Sequence, residues 1–244
     1  MLCRITGRGG KQMKLSIVVP CYNEEENIPL ILERFQEVIE REDIEVILVN
    51  NGSTDNSAQV LEQLLPKYSF AKTTLVAVNQ GYGYGILQGL AMCRGEYIGW
   101  THADMQTDPA DIIKALHVIE QEKALVFVKG RRKGRPLFDV LFTVGMSIFE
   151  TCYLHKKLYD INALPNIFAK VFYVGWEEPP QDFSLDLYAL YMARKKGLKV
   201  IRFPVLFPER IHGESKWNTG LQSKWKFIKR TIDFSVKLKK SGKL

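Results

Sequence analysis

Strand-like and helix-like segments alternate along the first 130 residues, and this alternation constrains the fold more than any other feature of the sequence. The strand-like runs are short and rich in branched apolar residues: "KLSIVVP", "IEVILVN", "TTLVAVN", "EYIGWT" and "ALVFVKG". Segments with apolar residues at helical spacing separate them, such as "NIPLILERFQEVIER". Regular alternation predicts βαβ units with right-handed crossovers. We therefore expect an α/β fold with a mostly parallel central sheet flanked by helices.

The alternation stops after residue 136. The sequence then predicts a long apolar helix, an irregular stretch, an amphipathic helix near 182–196, a strand in "LKVIRFPVLF" and a basic tail. Because no repeat or low-complexity linker interrupts the chain, we expect one main domain over 14–218. We expect residues 1–13 to be a disordered leader and residues 219–244 to form a basic amphipathic helix.

Polar or glycine-rich segments directly follow the predicted strands. They are "CYNEEEN", "NNGSTD", "NQGYGYG", "THADMQTDP" and "KGRRKGR". In open parallel sheets, ligands bind at the carboxyl ends of the strands. The segments should therefore meet at one edge of the sheet.

Each segment taken alone also has a structural interpretation. Asn23 and Glu24 suit the start of a helix, or they lie in a loop that faces a nucleotide. Asn51 lies in an Asn-Gly turn signal, or it hydrogen-bonds the edge of a nucleobase. Alternating glycines from Gly81 onward form a turn, or they let backbone N–H groups approach a phosphate at a helix N-terminus.

The segment "THADMQTDP" carries the sharpest signal for a metal site. His102 and Asp104 are two residues apart, so both side chains can point the same way on extended backbone. One imidazole, one carboxylate, substrate phosphates and water can complete an octahedral Mg²⁺ or Mn²⁺ site. The alternative is a histidine packed at the surface beside Trp100.

Two further segments have alternative readings. In "PERIHGESKWN", Arg210, His212 and Lys216 form either a solvated loop or a clamp for an anion. In "PPQDFSLDLYAL", Asp182 is either a general base or the N-cap of the following helix, and we expect Asp186 to be solvated.

The charge of the chain is concentrated at its ends. The net charge is +7, yet residues 216–244 alone hold nine Lys or Arg and one Asp, and the middle of the chain is mildly acidic. This distribution argues against a general nucleic-acid binder and suits a tail that meets anionic lipid. The sequence shows no signal-peptide core, and "PLFDVLFTVGMSIFETCYL" is interrupted by Asp139 and Glu150, so we expect no transmembrane helix.

Together, the motifs resemble those of the family 2 glycosyltransferases, and among them the dolichyl- and polyprenyl-phosphate sugar transferases. The resemblance runs from about Lys14 to Asn218. It is carried by "SIVVPCYNEEENI", "VNNGSTDNS", "NQGYGYGILQG", "GEYIGWTHADMQTDP", "KGRR", "DINALPNIF" and "FPVLFPERIHGESKW".

The resemblance implies a GT-A fold and transfer of a sugar from a nucleotide-sugar donor with inversion. By position, it implies a nucleotide pocket at Pro20, Tyr22, Asn23, Glu24, Asn51 and Gly81. It implies a metal site at His102, Asp104 and Gln106, and catalytic roles for Asp104, Asp182, Arg210 and Lys216. The chain departs from the family pattern at His102 and at Asn50-Asn51, where aspartates are usual, and in "DINALPNIF", where Leu164-Pro165 replaces Gly-Phe.

We expect an enzyme that uses Mg²⁺ or Mn²⁺, at a site that His102 weakens, and a polyprenyl-phosphate or glycan acceptor in surface-polysaccharide or lipid-linked sugar synthesis. We expect it in the cytoplasm, peripheral on the inner face of the membrane. The alternatives are a transferase that uses a nucleoside monophosphate sugar, and a non-catalytic nucleotide-sugar-binding or partner subunit that His102 has made inert.

Overall fold

The computed structural model of the chain describes residues 12–208, 210–212 and 221–240. The strands are β1 (Leu15–Cys21), β2 (Ile44–Asn51), β3 (Ala71–Val76), β4 (Tyr97–Trp100), β5 (Val126–Lys133), β6 (Asn166–Ala169) and β7 (Lys199–Leu206). The helices are α1 (Asn27–Val38), α2 (Ser57–Leu64), α3 (Tyr82–Met92), α4 (Pro109–Glu120), α5 (Leu137–Leu154), α6 (Lys170–Val174), α7 (Leu185–Lys195) and α8 (Leu221–Lys240).

The seven strands form one sheet in the order β3-β2-β1-β4-β6-β5-β7. Neighbouring strands are parallel except at β6, which is antiparallel to both β4 and β5. The predicted α/β fold with a mostly parallel sheet is therefore confirmed. The irregular stretch expected after the long apolar helix contains β6 and α6.

Helices cover both faces of the sheet, because the side chains of buried strands alternate between the faces. In β1, Val18 packs into one hydrophobic core with residues of α3 and α7. Its neighbours Ile17 and Val19 pack into a second core with residues of α1 and α4. Strands buried on both faces explain the nearly continuous apolar runs of the sequence.

Helix α5 has one buried side and one exposed apolar side. Ser147, Glu150 and Leu154 are buried, and the apolar side chains with large exposed areas include Leu137, Phe138, Leu141 and Ile148. Among the described residues, α5 alone is long and apolar enough to cross a membrane, and 17% of it is buried.

The buried side of α5 faces the C-terminal helix. The Ser235 hydroxyl of α8 lies 2.6 Å from Glu150 Oε2, and Lys239 Nζ donates to the Tyr153 carbonyl at 3.3 Å. Thr231, Ser235 and Leu238 are buried, whereas Trp225 is largely exposed. Thus α8 packs on the body with one face and leaves its first described aromatic side chain in solvent.

Candidate functional site

The loops that follow β1 and β2 interlock at the carboxyl edge of the sheet. Asn23, with φ 57°, accepts a hydrogen bond from the Thr54 amide at 2.8 Å. The Glu25 amide donates to Asp55 Oδ2 at 3.2 Å. Pro20 lies within β1 and Tyr22 directly follows it. Asn23 and Glu24 precede α1 without capping it, since α1 begins at Asn27 and has no side-chain cap.

The loop after β4 meets the segment after β7 through Asp104. Arg210 Nη2 lies 2.9 Å from Asp104 Oδ2, and Arg210 Nε donates to Gln106 Oε1 at 3.2 Å. The Gln106 amide donates to Asp104 Oδ1 at 3.1 Å, and its side chain donates to the Pro208 carbonyl at 3.1 Å. Arg210, which lies 104 positions beyond Gln106 in the sequence, therefore forms one contact group with Asp104 and Gln106, and all three are predicted site residues.

His102 lies beside this group and is mostly enclosed by other side chains. Its ring centroid is 6.1 Å from that of Tyr82, which in turn stacks on Phe183 at 4.6 Å. Burial lowers the pKa of His102, and the carboxylates of Asp104 and Asp186 oppose that change only in part. A neutral imidazole results near pH 7, which is the form that can ligate a metal.

Glu24 adds a second carboxyl group close to Asp104. Burial raises the pKa of Glu24 to about 6, although the hydrogen bond from Asn27 Nδ2 at 2.6 Å opposes the rise. Asp104 raises this pKa further and Arg210 lowers it, so the three groups act on one another electrostatically.

Asn51 and Gly81 connect the end of β2 to the start of α3. Asn51 is buried, and its Nδ2 donates to the Gly81 carbonyl at 3.0 Å. Gly81 has φ 117°, and a Cβ on it would lie 2.6 Å from the Gln181 carbonyl oxygen. The Tyr84 amide donates to that same carbonyl at 2.8 Å. The glycines here allow a close approach of the segment 180–182, and their contact with a phosphate stays a prediction.

The Asp182 carboxylate contacts the start of α7 and helix α8. Its Oδ1 accepts a hydrogen bond from the Ser184 amide at 2.8 Å, just before α7, and its Oδ2 lies 3.6 Å from Arg230 Nε of α8. A cavity of about 380 Å³ opens between Asp182 and α8, lined also by lysines and Asp233 of that helix. The contact with the Ser184 amide fits the capping interpretation, and a role as base stays a prediction.

Asp186 is not solvated as the sequence suggested; it is 2% exposed. Its Oδ1 accepts hydrogen bonds from Trp100 Nε1 at 3.1 Å and from Asn166 Nδ2 at 2.8 Å. Because α7 begins at Leu185 and packs against the sheet, its first turn points Asp186 inward. A single carboxylate in an amphipathic helix pattern gave no signal of this burial.

The motifs "KGRR" and "DINALPNIF" are joined by a buried ion pair. Arg132 Nε donates to Asp160 Oδ1 at 2.8 Å, and the Arg132 amide donates to Asp160 Oδ2 at 2.9 Å. Asp160 is 3% exposed and has φ 42°. This pair anchors the segment before β6 to the end of β5.

The described residues provide few ligands for a divalent cation. Among residues 12–208, 210–212 and 221–240, no group of three His, Cys, Asp or Glu side chains is placed to hold a metal. His102 and Asp104 nevertheless suit Mn²⁺ or Mg²⁺, which often bind to one or two protein ligands and complete their shell with substrate phosphates and water. The donor set fits a cation that arrives with a nucleotide. Lys216 lies outside the described residues.

Comparison with known proteins gives matches over most of the chain. Residues 16–156 match the family described as glycosyl transferase family 2. Undecaprenyl-phosphate 4-deoxy-4-formamido-L-arabinose transferase of Photorhabdus laumondii is 26% identical over 211 residues, which cover 84% of this chain and 63% of that protein. Dolichol-phosphate mannosyltransferase of Pyrococcus furiosus is 26% identical over 212 residues, which cover 84% of this chain and 59% of that protein. The chain thus spans less than two thirds of the length of these curated relatives.

Among solved structures, the chain resembles glucosyl-3-phosphoglycerate synthase from Mycobacterium tuberculosis in complex with Mn²⁺, uridine diphosphate and glucosyl-3-phosphoglycerate. The TM-score is 0.69 at 15% identity, and the match covers 94% of this chain and 80% of that one. This likeness confirms the GT-A fold.

Proposed function

The chain belongs to glycosyl transferase family 2, and on that premise we propose that it is an inverting glycosyltransferase acting on a polyprenyl-phosphate acceptor. The observation that carries the proposal is the contact group of Asp104, Gln106 and Arg210 beside His102, at the carboxyl edge of the sheet. The names of the curated relatives support a polyprenyl- or dolichyl-phosphate acceptor.

In the proposed reaction, an oxygen of the acceptor phosphate attacks the anomeric carbon of the donor sugar. The bond from that carbon to the donor phosphate breaks, and the nucleotide leaves with the electron pair. Negative charge therefore develops on the leaving phosphate. Arg210 provides a guanidinium that can form two parallel hydrogen bonds to phosphate oxygens.

A divalent cation bound with the donor would neutralise part of this developing charge. Asp104 and His102 are the residues that would hold it. Since Arg210 already contacts Asp104 Oδ2 at 2.9 Å, the guanidinium has to shift when a cation and a diphosphate enter. The same contact also suits the alternative of a transferase that depends little on metal, because Arg210 supplies positive charge there without one.

An anionic phosphate acceptor needs no general base, whereas a sugar hydroxyl does. The Asp182 carboxylate, the predicted base, contacts the Ser184 amide and Arg230. This engagement favours an acceptor that is already ionised, such as a polyprenyl phosphate.

Contact with the inner face of the membrane is part of the proposal. Leu137, Phe138 and Leu141 expose apolar area on α5, and Trp225 exposes an indole on α8. Apolar side chains near lysines are typical of helices that lie in the membrane interface. We therefore include the exposed side of α5, together with the tail, in the proposed contact surface.

The central test is substitution of Asp104 by Asn, with Asp111→Asn as a matched control. Asp111 is also a buried aspartate, but it pairs with Lys114 on α4. We expect Asp104→Asn to abolish sugar transfer to polyprenyl phosphate without unfolding the protein, and Asp111→Asn to retain transfer. Unchanged transfer by the Asp104 variant would refute the assignment.

A donor screen tests the class of nucleotide and the alternative of an inert subunit. Unfolding temperatures are measured with Mn²⁺ and UDP, GDP or CMP, because a ligand at 100 times its dissociation constant stabilises by about 2.7 kcal/mol. We expect a diphosphate to stabilise the protein. Stabilisation by CMP alone supports a monophosphate-sugar donor, and no response to any nucleotide supports the inert subunit.

Flotation with phosphatidylglycerol vesicles tests the membrane contact. Leu141→Ser on α5 is compared with Leu125→Ser, which changes an exposed leucine before β5. We expect only the α5 variant to lose vesicle binding, and equal binding by both would contradict the proposed surface.

A further inference from the structure

Asp186 is a buried carboxylate directly behind the candidate site, and the reaction proposed above does not use it. Two donors converge on its Oδ1: Trp100 Nε1 at 3.1 Å and Asn166 Nδ2 at 2.8 Å. All three residues are at most 2% exposed. The carboxylate therefore has a fixed position between α7, β4 and β6.

A buried lysine is connected to this carboxylate through an amide bridge; burial lowers the pKa of Lys129 to about 7, and the charge of Asp186 opposes that change. Lys129 is fully buried, and its Nζ donates to Asn166 Oδ1 at 2.7 Å and to the Ala163 carbonyl at 2.6 Å. Burial raises the pKa of Asp186, and Lys129 and His102 oppose the rise. The order Lys129, Asn166, Asp186 fixes the orientation of the Asn166 amide, since its oxygen accepts from the lysine and its nitrogen donates to the carboxylate.

Holding the Trp100 indole in place does not by itself require a charge. A neutral amide or carbonyl oxygen would accept the same hydrogen bond, and a buried ion pair is often no more stable than a neutral replacement. The packing of Trp100 therefore does not explain why a carboxylate and a lysine are buried here.

The candidate site provides that reason. Trp100 is the last residue of β4, and the turn bearing His102 and Asp104 follows it immediately. The Thr101 amide donates to the Val18 carbonyl at 3.1 Å, which ties the start of this turn to β1. The charge of Asp186 also acts on the His102 imidazole, opposing the effect of burial.

We propose that Asp186 is a positioning residue of the transferase site, which fixes the turn after β4 through Trp100 and presents a negative charge to His102. The proposal rests on the function proposed above, because it assigns His102 to the cation and diphosphate. Groups that hold a metal-ligating segment in place belong to the outer shell of the site, and loss of an outer-shell partner typically weakens metal binding about 10- to 100-fold.

The test compares Asp186→Asn with the wild type and with Asp111→Asn. Free Mn²⁺ is measured by electron paramagnetic resonance in the presence of UDP or GDP. We expect Asp186→Asn to weaken Mn²⁺ binding roughly tenfold or more and to lower kcat more than it raises KM, while Asp111→Asn leaves both unchanged. Wild-type Mn²⁺ binding by folded Asp186→Asn protein overturns the proposal.

A second variant covers the case in which Asp186→Asn does not fold because Lys129 is left without its counter-charge. The double variant Lys129→Met, Asp186→Asn removes both charges together. We expect this variant to fold and to show the same loss of Mn²⁺ binding. Retained binding in the double variant would also overturn the proposal.

Hydrogen exchange separates this proposal from the proposed function. The Gln106 amide donates to Asp104 Oδ1, so its exchange rate reports on the order of the turn. If the wild type binds no cation or nucleotide and transfers no sugar, the proposed function fails. The double variant Lys129→Met, Asp186→Leu removes the acceptor for Trp100 together with the buried charges. Faster exchange of the Gln106 amide in this variant than in the Asp111→Asn variant would still support the positioning role, and equal exchange would reject it.

Discussion

Substitution of Glu150 by Gln is expected to stabilise the protein at alkaline pH and to change little at acidic pH. Glu150 is fully buried where α5 packs against α8. Its Oε2 lies 2.6 Å from the Ser235 hydroxyl, and its Oε1 has no hydrogen-bond partner among the described residues. The Ser235 hydroxyl also lies 3.0 Å from the Thr231 carbonyl and has a single proton to donate. Protonated Glu150 can itself donate to Ser235, which leaves the serine proton for Thr231.

The magnitude follows from the pKa of this carboxyl group. Burial raises the pKa of Glu150 from 4.5 to about 7, and the hydrogen bond from Ser235 opposes the rise. At about 1.4 kcal/mol per pH unit, the ionised carboxylate destabilises the folded state by about 3 kcal/mol above pH 7. Below pH 4.5 the group is protonated in both states and contributes no penalty. Between these limits the unfolded state ionises first, so the free energy of unfolding falls as the pH rises.

Glutamine reproduces the protonated form of the side chain, because its Nε2 can donate to Ser235 as the carboxylic acid does. The variant should therefore match the wild type near pH 4.5 and exceed its free energy of unfolding by about 1–3 kcal/mol at pH 8. The assay is urea unfolding of both proteins from pH 4.5 to 8. The contributions of other titrating groups cancel when the free energy of unfolding of the wild type is subtracted from that of the variant.

Glu62→Gln serves as the control, because it makes the same chemical change at an exposed position on α2. The free energy of unfolding of Glu62→Gln should differ from that of the wild type by the same amount at every pH. If the free energies of unfolding of Glu150→Gln and the wild type differ by a constant amount across this pH range, ionised Glu150 does not destabilise the folded state.

Three further outcomes follow from the contacts. In urea unfolding, Glu45→Gln should destabilise the protein by about 1–3 kcal/mol at pH 7 but little near pH 2. Burial raises the pKa of Glu45, but hydrogen bonds from Arg94, Ser16 and Lys72 outweigh burial and lower this pKa to about 2. An equal loss of stability at pH 7 and at pH 2 would contradict this. Gly89→Ala should lower the free energy of unfolding by about 1–3 kcal/mol, since the added Cβ would lie 2.4 Å from a Val18 methyl group. An unchanged unfolding temperature would count against this close packing of α3 on β1. Arg210→Lys should keep the fold and lower kcat/KM roughly tenfold or more, because lysine keeps the positive charge but cannot form two parallel hydrogen bonds to a phosphate. Wild-type kcat/KM in this variant would exclude the proposed role of the Arg210 guanidinium.

The sheet could be predicted from the sequence because its signals are local. The buried runs of β1 and β2 and the helical spacing of α1 are visible in short windows, and Asp108-Pro109 marks the start of α4, where Asp108 accepts from the Ala110 amide at 2.9 Å. The antiparallel β6 was missed, because a four-residue strand is defined by its pairing with β4 and β5 on either side and not by its own pattern.

The site residues divide in the same way. Sequence order, with the rule that ligands bind at the carboxyl ends of parallel strands, predicted a shared edge for Asn23, Asp104 and their loops. It did not reveal that Asp182 contacts α8 or that Asp186 is buried behind Trp100. The two aspartates are four residues apart and lie on either side of the start of α7. Their different environments depend on the direction in which α7 packs against the rest of the protein.

The sequence by itself determined the alternating α/β architecture, the family and the list of side chains at the strand ends, because propensity, periodicity and motif spacing are properties of neighbouring residues. The tertiary structure decided which of those side chains meet. Arg210 reaches Asp104 across 106 positions of chain, and Lys129 is connected to Asp186 through Asn166. Such pairings depend on burial and on distances between separate elements, and the energetics of a buried charge are set by the partners that the fold brings to it.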